Sequence, residues 1–274
     1  MKIDAHQHFW NPARGDYGWM VGAGVEHLRQ PFLPPHLESH LTTFEIDRTV
    51  LVQAAPTVQE TEYMLGVADA TDFVAKVVGW VDFENREDLR HLQRLAKHPK
   101  FSGVRPMIQD LPDAEWMHRH DVQWAFDALI DLDLTFDALG FPLHIEPFQR
   151  LFERYSTMRC VVDHCLKPKI RDGAFEDWAT GIAKIATTTP AYCKISGLAT
   201  EAAAGWDIST LKPYIAHVIA SFGTDRVMWG SDWPVLELNG TYEKWHDTAM
   251  TLVGPHSGAQ VFGQTAQAFY RITK

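Results

Sequence analysis

The chain alternates between short runs of β-branched and apolar residues and longer stretches in which apolar positions recur every third or fourth residue. The short runs read as strands at Lys2–His6, Thr49–Gln53, Ala75–Val81, Gly103–Met107, Leu134–Ala138, Cys160–His164, Tyr192–Ser196 and Arg226–Gly230. Between them, Thr61–Thr71, Arg86–Lys97, Trp124–Leu132, Ile145–Tyr155, Phe175–Thr187 and Ser209–Phe222 carry helical spacing; Arg86–Lys97, for instance, sets Leu89, Leu92 and Leu95 against charged neighbours. Regular strand–helix alternation implies a parallel sheet, and this many repeats predict a (β/α)8 barrel, read as one domain over residues 1–274. A doubly wound open sheet would call for a Gly-rich turn after the first strand, and Ala5-His6-Gln7-His8 is not one. The segment from Phe9 to His36 exceeds the roughly 2–6 residues usual after a barrel strand. With Trp10, Tyr17 and Trp19 it reads either as a cover over the barrel mouth or as a packed decoration.

The polar residues then acquire a pattern. In a strand, side chains two apart share a face, so His6 and His8 project together, with Asp4 expected behind them on the same side. Arg105 lies on the fourth predicted strand. His144 follows the fifth, His164 ends the sixth with Lys167 in the turn beyond, Lys194 and Ser196 share a face of the seventh, and Asp232 follows the eighth. The C-terminal ends of barrel strands carry the active site. Each residue alone has a plainer reading: a packed core histidine, an N-capping Asp232, a structurally paired Arg105. Two histidines from the first strand, one from the sixth and an aspartate from the eighth meeting at one mouth would be costly as unpaired core groups, and a shared metal or proton-handling site accounts for them better. Lys194 is open to a structural role as the partner of Asp163 or Asp232. Cys165 neighbours His164, but Asp232 already offers a base for water.

Composition narrows the partners. A net charge of -10 argues against nucleic acid or an anionic membrane surface, since both call for a basic face. Three cysteines without a CxxC pair point to a reduced, cytoplasmic setting rather than a disulfide framework. No apolar run approaches the roughly 20 residues of a membrane span. The start lacks a basic region followed by an apolar one, so no secretory signal is expected. The sequence is compatible with a homo-oligomer and does not specify one.

Five blocks, in order and spanning nearly the whole chain, resemble the amidohydrolase superfamily, and within it the small-lactone hydrolases that act on sugar lactones or pyrone dicarboxylates. They are Asp4-Ala5-His6-Gln7-His8-Phe9-Trp10, Gly103-Val104-Arg105, Val162-Asp163-His164 through Lys167-Pro168, Cys193 through Leu198, and Gly230-Ser231-Asp232-Trp233-Pro234. The resemblance implies hydrolysis of a small-molecule lactone. His6, His8, His164 and Asp232 match the positions that hold a divalent metal in metal-using members. Others in the branch use the same groups without a tightly bound ion. Arg105 occupies the place of the bridging lysine or glutamate of binuclear relatives, so at most one ion, zinc or manganese, is expected. A lactone is an ester. Its opening calls for a base, for which Asp232 is the best candidate, and for stabilisation of the oxyanion by His6, His8 and His164. Arg105, His144 and Lys167 are expected to contact substrate oxygens, and Trp10, Tyr17 and Trp19 to wall the sugar ring, which favours an aldonolactone. The rivals are lactone isomerisation, metal-dependent decarboxylation, a barrel deoxyribonuclease and a non-catalytic sugar-binding barrel.

Overall fold

The computed structural model describes residues 1–273. The strands are β1 (Ile3–Gln7), β2 (Arg48–Val52), β3 (Val74–Gly79), β4 (Phe101–Val104), β5 (Thr135–Ala138), β6 (Arg159–Val162), β7 (Tyr192–Ile195) and β8 (Val227–Trp229). They pair in parallel in chain order. The circle closes just past β8. Asp232 N–H donates to the His6 carbonyl at 2.8 Å, and His8 N–H donates to the Trp233 carbonyl at 2.8 Å. All the strands read from the pattern are present, so the fold is the expected (β/α)8 barrel.

The helices are α1 (Pro34–Phe44), α2 (Val58–Asp69), α3 (Leu89–Leu95), α4 (Gln123–Asp131), α5 (Ile145–Arg154), α6 (Glu176–Thr188), α7 (Leu198–Glu201), α8 (Ile208–Phe222), α9 (Tyr242–Val253) and α10 (Thr265–Phe269). Their apolar stripes pack on the outward faces of the strands. Sequence reading missed α1, α7, α9 and α10. It also began the third helix at Arg86, where a 3₁₀ turn over Arg86–Asp88 precedes α3. Among the described residues no helix is long and apolar enough to cross a membrane.

The interior of the barrel is layered. At the bottom Ile3, Ala5, Val50, Val52, Val78, Val161 and Met228 pack together with Ala266, Phe269 and Tyr270 of the C-terminal segment, which closes that end. Arg159, at the start of β6, fastens this plug by donating to the Phe269 carbonyl at 2.6 Å. Above lies a buried polar layer. Lys194 Nζ is 2.6 Å from Asp137 Oδ2 and 3.0 Å from Asp163 Oδ1. The Tyr270 hydroxyl donates to Asp137 Oδ2 at 2.7 Å. The site rests on this layer.

Strand β1 departs from strict alternation. Its register against β2 shifts between Asp4 and Gln7. Ala5 points into the barrel, yet so does His6, and Asp4 points out, where Oδ2 accepts from Tyr242 of α9 at 3.1 Å and Oδ1 accepts from Ser231 N–H at 2.8 Å. The expectation that Asp4 backs His6 and His8 is therefore corrected: an irregularity in one strand swaps faces on either side of it.

Candidate active site

Four side chains converge at the C-terminal end of the barrel. Asp232 Oδ1 lies 3.3 Å from His8 Nε2, 3.8 Å from His6 Nε2 and 3.9 Å from His164 Nε2. The His6 ring is 5.0 Å from that of His8 and 4.5 Å from that of His164, centre to centre. All four groups are buried.

Local backbone chemistry produces this convergence. After β6, His164, Cys165, Leu166 and Lys167 all have φ between 50° and 55°, a left-handed turn that costs L-residues about 1–2 kcal/mol each. It turns both His164 and Lys167 into one cavity. Asp232 also sits at φ 58°. Glycine makes room: a Cβ on Gly197, which has φ 63°, would meet His164 Nδ1 at 2.6 Å, and one on Gly230 would meet the His6 Cβ at 2.6 Å. Strain concentrated at such positions is typical of functional sites.

Each imidazole is oriented from behind. His8 Nδ1 donates to the Val52 carbonyl at 2.7 Å, which turns its Nε2 toward Asp232. His164 Nδ1 is 2.8 Å from Ser196 Oγ, and His6 Nδ1 is 3.2 Å from Lys194 Nζ. Burial pushes the pKa of all three down, assisted at His6 by the nearby charge of Lys194. Burial alone would raise Asp232, but His164, the His8 hydrogen bond and Lys167 more than offset it and hold the carboxyl below its usual range. Three buried imidazoles around a carboxylate form a nitrogen and oxygen donor set of the kind that binds a divalent cation. Ligands about 2.0–2.1 Å from a tetrahedral zinc ion lie about 3.3 Å apart, the separation of His8 Nε2 and Asp232 Oδ1, while His6 and His164 stand wider at 3.8 and 3.9 Å from that oxygen. His8 bonded to a backbone carbonyl and His164 to a hydroxyl is also the outer support metal-bound histidines need. His6, His8 and Asp232 bring one ligand atom each within 4.8 Å of the others and fit one divalent ion; His164 groups in the same way with His6 and Asp163.

The cavity over these groups holds about 240 Å³. Arg105 enters it just past β4, bracketed by Gln53, whose carbonyl accepts from the guanidinium and whose amide donates to the Arg105 carbonyl at 2.6 Å. Lys167 enters from the left-handed turn and donates to Gln109 Oε1 at 2.6 Å, its pKa lowered by burial. Trp10, Trp19 and Val25 of the segment after β1 form one wall, so that segment covers the mouth rather than decorating the side. Trp10 is held by hydrogen bonds to the Leu28 and Gln30 carbonyls, Trp19 by one to the Ala54 carbonyl at 2.8 Å.

Two expectations about substrate contacts do not hold. His144, expected to contact substrate, is absent from the cavity wall; its Nδ1 accepts from Phe141 N–H at 3.0 Å at the head of α5, a capping position that sequence order alone cannot tell from a strand-end position. Tyr17 is buried against Trp10 and does not line the cavity. Lys194 does pair with Asp163, one of the two partners expected for it, and pairs with Asp137 as well. Cys165 is buried, its thiol turned to the Lys194 carbonyl at 3.3 Å. Sequence reasoning missed Asp137, Gln53 and Gln109. The signal for Asp137 was present, as a carboxylate on the inward face of an otherwise apolar strand.

The amidohydrolase family profile matches residues 3–272. The chain belongs to this family. Among amidohydrolase relatives, an L-fucono-1,5-lactonase of Burkholderia ambifaria is 40% identical, over 100% of this chain and 96% of its own length. An L-fucono-1,5-lactonase of Burkholderia multivorans is 29% identical over 99% of this chain and 96% of its own. A crystal structure of a Burkholderia multivorans amidohydrolase with bound zinc superposes with a TM-score of 0.93 at 28% identity, covering 100% of both chains.

Proposed function

We propose that this amidohydrolase opens a sugar-acid lactone, an aldonolactone of the L-fucono-1,5-lactone type, and releases the aldonic acid. The observation that carries the reading is the ionised Asp232 carboxylate ringed by three buried imidazoles, in a cavity whose two cationic side chains, Arg105 and Lys167, offer fixed hydrogen-bond donors. At about 240 Å³ the cavity lies just below the common range of about 300–1,000 Å³ for small-molecule sites and suits one six-membered lactone ring. Full-length similarity to named L-fucono-1,5-lactonases supports that substrate class.

Asp232 takes a proton from water as the water oxygen bonds to the lactone carbonyl carbon. The oxygen that becomes negative is met by Arg105 and Lys167, donors already fixed in a water-poor pocket. When the bond from that carbon to the ring oxygen breaks, the leaving alkoxide receives the proton from Asp232. The hydroxy acid then ionises, so each turnover yields one proton. His6, His8, His164 and Asp232 would hold one divalent ion, zinc or manganese, which when bound polarises the carbonyl and acidifies water. Trp10 and Trp19 orient the C–H face of the sugar.

The test is acid release from purified protein, with zinc or manganese supplied, against fucono-, rhamnono-, galactono-, arabinono- and xylonolactone. Turnover of one or two supports the reading. Interconversion of lactones without acid would move it to isomerisation. Inertness of the whole panel would remove it.

A further inference from the structure

A second cavity, of about 640 Å³, adjoins the catalytic one on the same end of the barrel and shares Trp19, Met107 and Asp110 with it. The mechanism above leaves it unused. Its walls are aromatic: Trp19 and Trp80 are half-buried, and Phe83 and Trp116 are buried with their rings 5.8 Å apart and stacked. These walls are held in place. Trp19 Nε1 is fastened to the Ala54 carbonyl, and Trp116 Nε1 donates at 2.8 Å to Glu84, which is itself 2.6 Å from Arg119. Asp16, Asp82, Glu84 and Asp110 also line the space, and no lysine or arginine does.

We propose that this cavity is a binding subsite for a second, neutral sugar ring carried by the lactone, so that the substrate class extends to glycosylated aldonolactones. The inference rests on the lactonase reading. Flat, rigid indoles match the apolar face of a pyranose at little ordering cost. Carboxylates are acceptors only, which suits hydroxyl donors and repels an anionic substituent. The shared wall at Trp19 and Met107 lets one molecule occupy both spaces. The catalytic cavity is filled by a single ring, so a further ring has this adjoining volume to enter.

The experiment compares L-fucono-1,5-lactone, or whichever lactone of the panel is turned over, with its 2-O-, 3-O- and 4-O-glucosyl derivatives. The three linkages cover every hydroxyl by which a second ring can be attached to a 6-deoxy lactone. At least one derivative is expected to be hydrolysed with a KM about tenfold below that of the parent, a gain matching one well-packed aromatic contact. Trp80→Ala should erase that gain while leaving the parent's kcat and KM within about twofold, which also shows that the variant is folded. If Trp80→Ala does not fold, the wild-type comparison decides by itself. Parent turnover with no derivative bound more tightly overturns the subsite and leaves the lactonase reading standing. Equal loss on parent and derivative in the variant also overturns it. Inertness of every lactone, extended or not, overturns both.

Discussion

In the proposed reaction Asp232 depends on the placement of its neighbours, and small residues enforce that placement. Gly197 lets the His164 ring lie where any Cβ would collide with it. Gly197→Ala should therefore displace His164, lowering kcat about 100-fold, as misplacements near 1 Å do, and lowering stability by about 1–2 kcal/mol for the left-handed backbone. Steady-state kinetics and chemical denaturation read the two effects separately. The polar core of the site that sequence made legible, His6, His8, Arg105, His164 and Asp232, stands at or just past strand ends, where the fold class alone says which way a side chain faces. His144 also follows a strand, but the chain turns there into a capped helix start, and the distinction depends on a hydrogen bond to Phe141 that no spacing encodes. Gln53 and Asp137 went unread because a single polar residue in a strand has several plainer explanations, and their partners Arg105 and Lys194 are distant in sequence.

At the scale of elements, period and burial explain what could be read. The strands are short, β-rich and buried, so their positions survive in the sequence even where their ends move by two or three residues. Strand β1 shows the limit. One register shift sends Asp4 out to Tyr242 and His6 in to the site, and no hydropathy pattern marks it. Helix α2 carries a testable consequence. Glu60, in its first turn, accepts hydrogen bonds from the Ala54 and Ala55 amides, which fix the loop that anchors Trp19. Burial raises the Glu60 pKa from 4.5 to about 8, only partly opposed by those hydrogen bonds. A carboxyl raised in the folded state binds more protons folded than unfolded between these two values, so this group's contribution to stability falls as pH rises from about 4.5 to about 8. Glu60→Gln removes the titration. The stability of Glu60→Gln relative to the parent should increase from pH 5 to pH 8, measured by denaturant midpoint. A constant difference across that range would contradict the assignment.

The whole molecule couples its closed bottom to its catalytic top through a charged layer. Tyr270 from the C-terminal plug reaches Asp137, Asp137 pairs with Lys194, and Lys194 touches Asp163 and His6. Burial would raise Asp163, but Lys194, His164 and Arg105 more than offset it, so the layer retains a carboxylate that depends on its cations. Lys194→Met should cost about 3–5 kcal/mol of unfolding free energy, the usual penalty for stranding a buried charge, whereas a loss under 1 kcal/mol would show the pair to be dispensable. At this scale the architecture was the most legible feature, since a parallel barrel is what regular strand–helix repeats must build. Of the layer inside it only the Lys194–Asp163 pair was open to reading; Asp137 and Tyr270 join it from another strand and from the C-terminal segment.

The central claim is that Asp232 drives the opening of a sugar lactone. Proton release from L-fucono-1,5-lactone should be followed at neutral pH for the parent protein and for Asp232→Asn, both shown to be folded and supplied with zinc. Rapid acid release by the parent, reduced about 10²–10⁴-fold in the variant, is the predicted result. Comparable acid release by both proteins would contradict the account.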